Sequence, residues 1–235
     1  MKILALDSSG LVASVAILTE ETLLAEYTVN YKKTHSQTLL PMLDEIVKML
    51  ELDLHEMDAI AVAKGPGSFT GLRIGSATAK GLGLALDKPI IGVPTVDGLA
   101  YNVYGYQGVI CPLMDARRNQ VYTGLYEFID GKFTVIEQQQ AVDVKEIVDK
   151  INHCGKPVLY LGDGVDSYKE QLLELTTVDY HFAPCHLNKQ RAGALGALAI
   201  EYFKNGQLES AKEHEPEYLR LSQAERERKE AAKEE

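Results

Sequence analysis

The sequence predicts an α/β fold of two duplicated lobes, each a mixed sheet with flanking helices, and a cleft between them. Three observations carry this. One order of elements (three strands, a helix, a strand, a glycine turn, a helix) can be read twice along the chain. Each half opens on an apolar strand that ends on an acid, Asp7 in one and Asp115 in the other. Each half then places its glycine turn just after a short apolar strand, at Gly65 and Gly67 and again at Gly162 and Gly164.

In the first half, strands are expected over Lys2–Asp7, residues 12–18 and residues 23–31, joined by Ser8-Ser9-Gly10 and by residues 19–22, as an antiparallel meander. Leu39, Leu40, Leu43, Ile46, Val47 and Leu50 recur at helical spacing. Pro41 belongs in the first turn, because deeper in it would remove a hydrogen bond and clash, so the regular helix is placed from Thr38. A short strand over 59–63 leads into the glycine turn and a helix over 70–86. A strand over 90–93 and a helix over 95–104 follow. In the second half the strands are Val109–Asp115, 121–128 and, after the turn Asp130-Gly131, 132–138. An amphipathic helix over 144–151, a strand over Val158–Leu161 and a helix over 167–175 complete the repeat. A last helix, rich in Ala and Gly, covers 191–203. The predicted domains are therefore residues 1–105 and 106–190, with a closing helix and extended tail over 191–223 and a charged tail over 224–235, read as a solvated end.

The 235 residues carry a formal charge of -10 and are 46% hydrophobic. That charge disfavours autonomous contact with nucleic-acid phosphates, which needs clustered Lys and Arg; Lys32-Lys33 is the local exception. No apolar run approaches the length of a membrane span. The three cysteines, Cys111, Cys154 and Cys185, form neither a disulfide framework nor a zinc knuckle, and a reducing cytoplasm is the expected setting.

The segment AKGPGSFTGLRIG, Ala63 to Gly75, looks like a phosphate cradle, yet Pro66 removes one of the backbone donors that a cradle needs. Past the turn, Gly71, Gly75, Ala79 and Gly83 recur every four residues and lay a nearly bare stripe along one helix face. Interior glycine costs close to 1 kcal/mol against alanine, so the stripe needs a compensating close contact. Two partners are open: the helix carrying Ala192, Gly196 and Ala199, or a helix of a second chain. Leu40 and Met42 widen the apolar face of the 38–50 helix beyond what a core requires, which points to a second contact there.

Two lobes that each open on an acid-ended strand resemble the actin, sugar kinase and heat-shock chaperone superfamily, whose lobes are actin-like (ribonuclease H-like). GPGSFTGLRIGSATAKGLGLAL, with the start LALDSS, the segment MDARRNQVY and the tail PEYLRLSQAE, is similar to the TsaB (YeaZ) family over essentially the whole chain. The resemblance implies a non-catalytic subunit, with no cofactor or metal of its own, that supports the related protein TsaD. With TsaE, these proteins transfer a threonylcarbamoyl group from its adenylate to an adenosine beside the anticodon of certain tRNAs. It further implies a TsaD heterodimer through the N-terminal lobes, a homodimer when alone, and only indirect contact with tRNA. TsaD-like proteins carry an HxxxH metal pair after the glycine-rich helix. The matching positions here are Thr95 and Leu99, a poor ligand and none.

The candidate partner-interface residues are His35, Leu39, Leu40, Leu43, Gly71, Arg73, Gly75 and Ala79. Asp7, Ser8 and Asp115 are candidates for a vestigial nucleotide cleft, or else turn-capping acids kept from an ancestral fold. Arg117 and Arg118 either pair within the lobe or meet a partner. HFAPCH, with His181, Cys185 and His186, is expected to be ordinary loop, since Pro184 prevents a helix that would align the ligand types. Ser68 lacks the GxSxG setting of a hydrolase elbow. The competing class is an ATP-dependent enzyme or a metallopeptidase of the same superfamily.

Overall fold

The structure, a computed structural model, describes residues 1–31 and 35–220. The expected features at Lys32-Lys33, at the end of the extended tail and over the charged tail lie outside the described residues. The first lobe runs β1 (Lys2–Asp7), β2 (Ala13–Thr19), β3 (Leu23–Val29), α1 (His35–Leu50), β4 (Ala59–Gly65), α2 (Phe69–Leu86), β5 (Ile90–Pro94) and α3 (Thr95–Tyr101). The second runs β6 (Val109–Asp115), β7 (Gln120–Ile129), β8 (Lys132–Asp143), α4 (Val144–Cys154), β9 (Val158–Leu161), α5 (Asp163–Leu175) and β10 (Tyr180–Phe182), and α6 (Ala192–Lys204) follows.

The two sheets have the same topology. The first is ordered β3-β2-β1-β4-β5 and the second β8-β7-β6-β9-β10. In both, the first strand pairs antiparallel with the second and parallel with the fourth, and the fourth pairs parallel with the fifth. The central strands β1, β4, β6 and β9 are buried nearly throughout, as sheets covered on both faces require.

The covering helices cross the sequence boundary between the halves. Sheet 1 has α1 and α2 on one face, where Leu39, Leu43 and Ile46 meet Leu4, Leu6 and Ile60. Its other face is covered by α6, whose Leu195, Leu198 and Ala199 pack on Ile3, Ala5, Ala61 and Val93. Sheet 2 has α4 and α5 on one face. Its other face is covered by α3, whose Val96, Leu99 and Ala100 pack with Ile110, Tyr126 and Leu161. In space, therefore, α3 serves the second lobe and α6 the first, and the two helices touch each other in the middle.

Several elements differ from the sequence reading: β8 extends to Asp143 and α4 to Cys154, α3 stops at Tyr101, and three further differences bear on the site. α1 begins at His35 rather than Thr38 and carries Pro41 inside it. Its first turn is anchored by the His35 Nε2 contact to the Val12 carbonyl at 3.1 Å, and Pro41 lies on the exposed face of the helix. α5 begins at Asp163, because Gly162 takes the chain into the helix through a left-handed corner at φ 103°. β10 was not expected. It is a three-residue, mostly exposed edge strand beside β9, and it takes His181 out of the loop.

Candidate functional site

The acids Asp7 and Asp115 do the same local job in the two lobes. Asp7 Oδ1 accepts from the Ser9 amide at 2.9 Å and the Ser9 hydroxyl at 2.6 Å. Asp115 Oδ1 accepts from the Arg117 amide at 2.7 Å. Each carboxylate thus closes the turn that follows its strand. Their settings differ. Asp7 is 3% exposed, and burial pushes its carboxyl above the usual range, against the pull of the Ser9 hydrogen bonds and nearby His35. Asp115 is exposed at the cleft, facing the Tyr168 hydroxyl at 3.3 Å.

Ser8 explains the glycine stripe. Its hydroxyl donates to the Gly71 carbonyl at 2.9 Å, and it is 2% exposed. A Cβ at Gly71 would overlap the Ser8 carbonyl oxygen, and one at Gly75 would lie 2.6 Å from Ser8 Oγ. The Gly71 and Gly75 end of the stripe therefore receives the Ser8-Ser9 turn of the same lobe, and its Gly83 end meets Ala211 and Ile90. It does not pack on α6, which lies across the sheet. In the glycine loop the Ser68 amide donates to the Ser9 carbonyl at 2.6 Å, so this amide, which a phosphate would need, is already used within the lobe. Ser68 itself caps α2 by accepting from the Gly71 amide at 3.3 Å.

These contacts correct several sequence expectations. Asp7 and Ser8 lie behind the cleft wall, which Ser9 and Gly10 form instead. Leu39, Leu43, Gly71, Gly75 and Ala79 are buried inside the lobe and present no side chain to a partner, and Met42 joins them. His35 is half-buried in the cleft wall. Arg73 is exposed on α2, over the Phe69 ring at 4.7 Å. Leu40 remains outward at 52% exposure.

The stripe that does face outward on α2 is Ala77, Gly81 and Ala85, beside Leu84 at 58% exposure. A Cβ at Gly81 would meet nothing within 4 Å. The signal was in the sequence, since these positions share the four-residue spacing, but the run Gly71, Gly75, Ala79, Gly83 has more glycine and drew the reading to the buried side.

Between the lobes lies a cleft of about 720 Å³. Ser9, His35, Thr70, Asp115, Arg117 and Arg220 are among its walls. Arg117 thus faces the cleft, on a turn where Arg117, Arg118 and Asn119 are all left-handed, with φ of 63°, 57° and 58°. Phe69, Asp163 and Arg220, which the sequence did not single out, also line it. Burial raises the Asp163 carboxyl above its usual range.

On α3, Thr95 and Leu99 are each 1% exposed, and Thr95 Oγ1 has no hydrogen-bond partner. Leu99 is committed to the core of the second lobe. This pair does not fit a transition metal. Asp97 between them accepts from the hydroxyls of Tyr126 at 2.7 Å and Tyr202 at 3.2 Å. Burial raises its carboxyl above the usual range, while those two hydroxyls lower it. His181 lies 3.8 Å from Asp179. Among the described residues no three His, Cys, Asp or Glu side chains converge in a way that could hold a metal. Nor is any described helix long and apolar enough to cross a membrane.

Comparison with known proteins agrees with this architecture. The family model for TsaD, the tRNA N6-adenosine threonylcarbamoyltransferase, matches residues 22–228. The tRNA threonylcarbamoyladenosine biosynthesis protein TsaB of Bacillus subtilis (strain 168) is 35% identical over 227 residues, 96% of each chain. The solved structure of YeaZ from Pseudomonas aeruginosa superposes with a TM-score of 0.80 at 28% identity, covering 93% of this chain and 99% of that one. Component A of (R)-2-hydroxyglutaryl-CoA dehydratase from Acidaminococcus fermentans, at TM-score 0.52 and 12% identity over 88% of this chain and 99% of its own, shares the fold alone.

Proposed function

Because the chain belongs to the TsaB (YeaZ) family, we propose that it acts in tRNA threonylcarbamoyladenosine formation as a non-catalytic subunit that binds and supports a TsaD-type protein. The observation that carries this reading is on α3. The positions matched to the metal-binding histidines are a buried threonine and a core leucine. Two further features support it. The glycine loop and the Ser8-Ser9 turn are occupied with each other, so they hold the lobe together where a nucleotide enzyme would hold phosphate. The outer face of α1 and α2 offers Leu40, Leu84 and the flat Ala77-Gly81-Ala85 stripe to another helix.

On this reading the same face serves a TsaD heterodimer and, in the isolated chain, a homodimer. TsaE joins as a further member. Contact with tRNA runs through the partners, in keeping with the charge of -10, and the setting is cytoplasmic. The test is tRNA modification in a reconstituted mixture of TsaD, TsaE and threonylcarbamoyl-adenylate, with and without this chain, and with this chain alone. Activity that requires this chain together with TsaD supports the reading. Full activity without it, or turnover by it alone, overturns it.

A further inference from the structure

Residues 208–220 return from α6 along the first lobe and end on the second. Glu209 exchanges backbone hydrogen bonds with Ile90 of β5 at 2.8 and 2.9 Å. Lys80 of α2 donates to the carbonyls of Lys212 at 3.1 Å and His214 at 2.8 Å. The Glu217 amide donates to the Lys64 carbonyl at 2.6 Å, and the segment passes so close that a Cβ on Gly65 would overlap the Glu217 carbonyl oxygen. The Tyr218 ring then stacks on Phe69, with centroids 4.0 Å apart and planes 15° apart. Arg73 lies over the same Phe69 ring, and its Nε donates to the Tyr218 hydroxyl at 3.3 Å.

At this point the segment changes lobes. An Arg220 guanidinium nitrogen donates to the Ala116 carbonyl of the β6–β7 turn at 2.6 Å. Glu217 also accepts from Gln139 of β8 at 3.5 Å. Phe69, Arg220 and Ala116 all line the inter-lobe cleft. The turn that Arg220 grips is the left-handed run Arg117-Arg118-Asn119, a conformation that non-glycine residues hold only when their surroundings enforce it.

We propose that residues 216–220 are a clasp that sets the aperture of the inter-lobe cleft, by tying Phe69 at the start of α2 to the Ala116 carbonyl across the cleft mouth. Packing the tail on the first lobe needs only the Lys64 hydrogen bond and the Phe69 stack. The Arg220 bond adds nothing to that lobe and acts only between lobes. Release of Arg220 loosens the cleft mouth beside the Arg117 turn, while Asp115 still closes that turn and the Gln139–Glu217 and α3–α6 contacts remain on the hinge side.

The clasp is tested by pulsed electron-electron distance measurement between spin labels at Glu45→Cys on α1 and Glu170→Cys on α5, in a background carrying Cys154→Ser and Cys185→Ser. Arg220→Ala removes the Arg220–Ala116 bond at the cleft mouth and leaves the Phe69 stack and the longer Gln139–Glu217 contact. It is expected to move the main distance peak by more than its wild-type width, and Arg220→Lys is expected to recover most of the shift. Tyr218→Ala with Arg220→Ala should broaden the distribution further. Circular dichroism separates opening from unfolding. A folded Arg220→Ala chain with the wild-type distance distribution overturns the proposal. If the double variant fails to fold, the single variant still decides.

Discussion

Gly71 and Gly81 lie on one helix and have opposite prospects on substitution. A methyl at Gly71 strikes the Ser8 carbonyl, which is fixed backbone, whereas a methyl at Gly81 meets open space. Gly71→Ala is expected to destabilise the chain by about 1–3 kcal/mol, as overpacking does. Gly81→Ala is expected to stabilise the isolated chain by about 0.5–1 kcal/mol through helix propensity. Urea denaturation of the two variants checks both signs. Asp97 gives a residue-scale prediction in pH. Its carboxyl is raised above the ordinary value of 3.8, mainly by burial, so the folded chain keeps this proton to higher pH than the unfolded chain does. The contribution to stability is therefore complete below pH 3.8 and is lost as pH rises through the folded value. The stability of the wild type relative to Asp97→Asn should fall over that window and then level off, measured by urea denaturation at a series of pH values. A pH-independent difference would show that the Asp97 carboxyl is not raised.

At the scale of elements, the sequence was legible wherever burial left an apolar run or a period. β6 and β9 lie where their short continuous apolar runs put them, and the repeat of strand order follows from the acid-ended strands and glycine turns. β10 was not legible because an exposed three-residue edge strand has no apolar pattern. The start of α1 was missed because proline chemistry argues for a late start, whereas the His35 contact to Val12 comes from a distant strand. The glycine stripe shows a limit of another kind. Spacing correctly indicated a close contact, but only the tertiary structure shows that Ser8 makes it. For α2 the outward stripe then carries the association prediction. Gly81→Leu and Leu40→Glu should each leave the melting temperature of the isolated chain nearly unchanged and weaken both homodimerisation and TsaD binding at least tenfold, seen by sedimentation velocity and titration calorimetry. Unchanged association in both variants would remove α1 and α2 from the interface. A Gly75 variant cannot make this distinction, because its effect would come from the collision with Ser8.

For the molecule as a whole, the crossing of α3 and α6 decides how the lobes depend on each other. The sequence divides near residues 105–108, and the sheets do follow that division, but their covers do not. Neither helix announces its destination: α6 is apolar and small on nearly every side, and α3 is too short to show a one-sided stripe. Without α6, the face of sheet 1 formed by Ile3, Ala5, Ala61, Ile91 and Val93 would be bare. Burial of a Leu or Ile side chain is worth about 1.5–3 kcal/mol, and total domain stability is only about 5–15 kcal/mol, so losing several at once leaves no margin. A fragment of residues 1–107 is therefore expected to remain unfolded or aggregate, although it contains a complete five-stranded sheet. Co-expression with residues 187–220, which supply α6 and the strand-like return beside β5, should recover a soluble complex with dispersed amide resonances. The intact chain should melt in a single transition by calorimetry, with calorimetric and van't Hoff enthalpies equal. Two separated transitions, or a folded 1–107 fragment, would mean that the exchanged helices do not couple the lobes, and the clasp at Arg220 would then be the main restraint on their relative position.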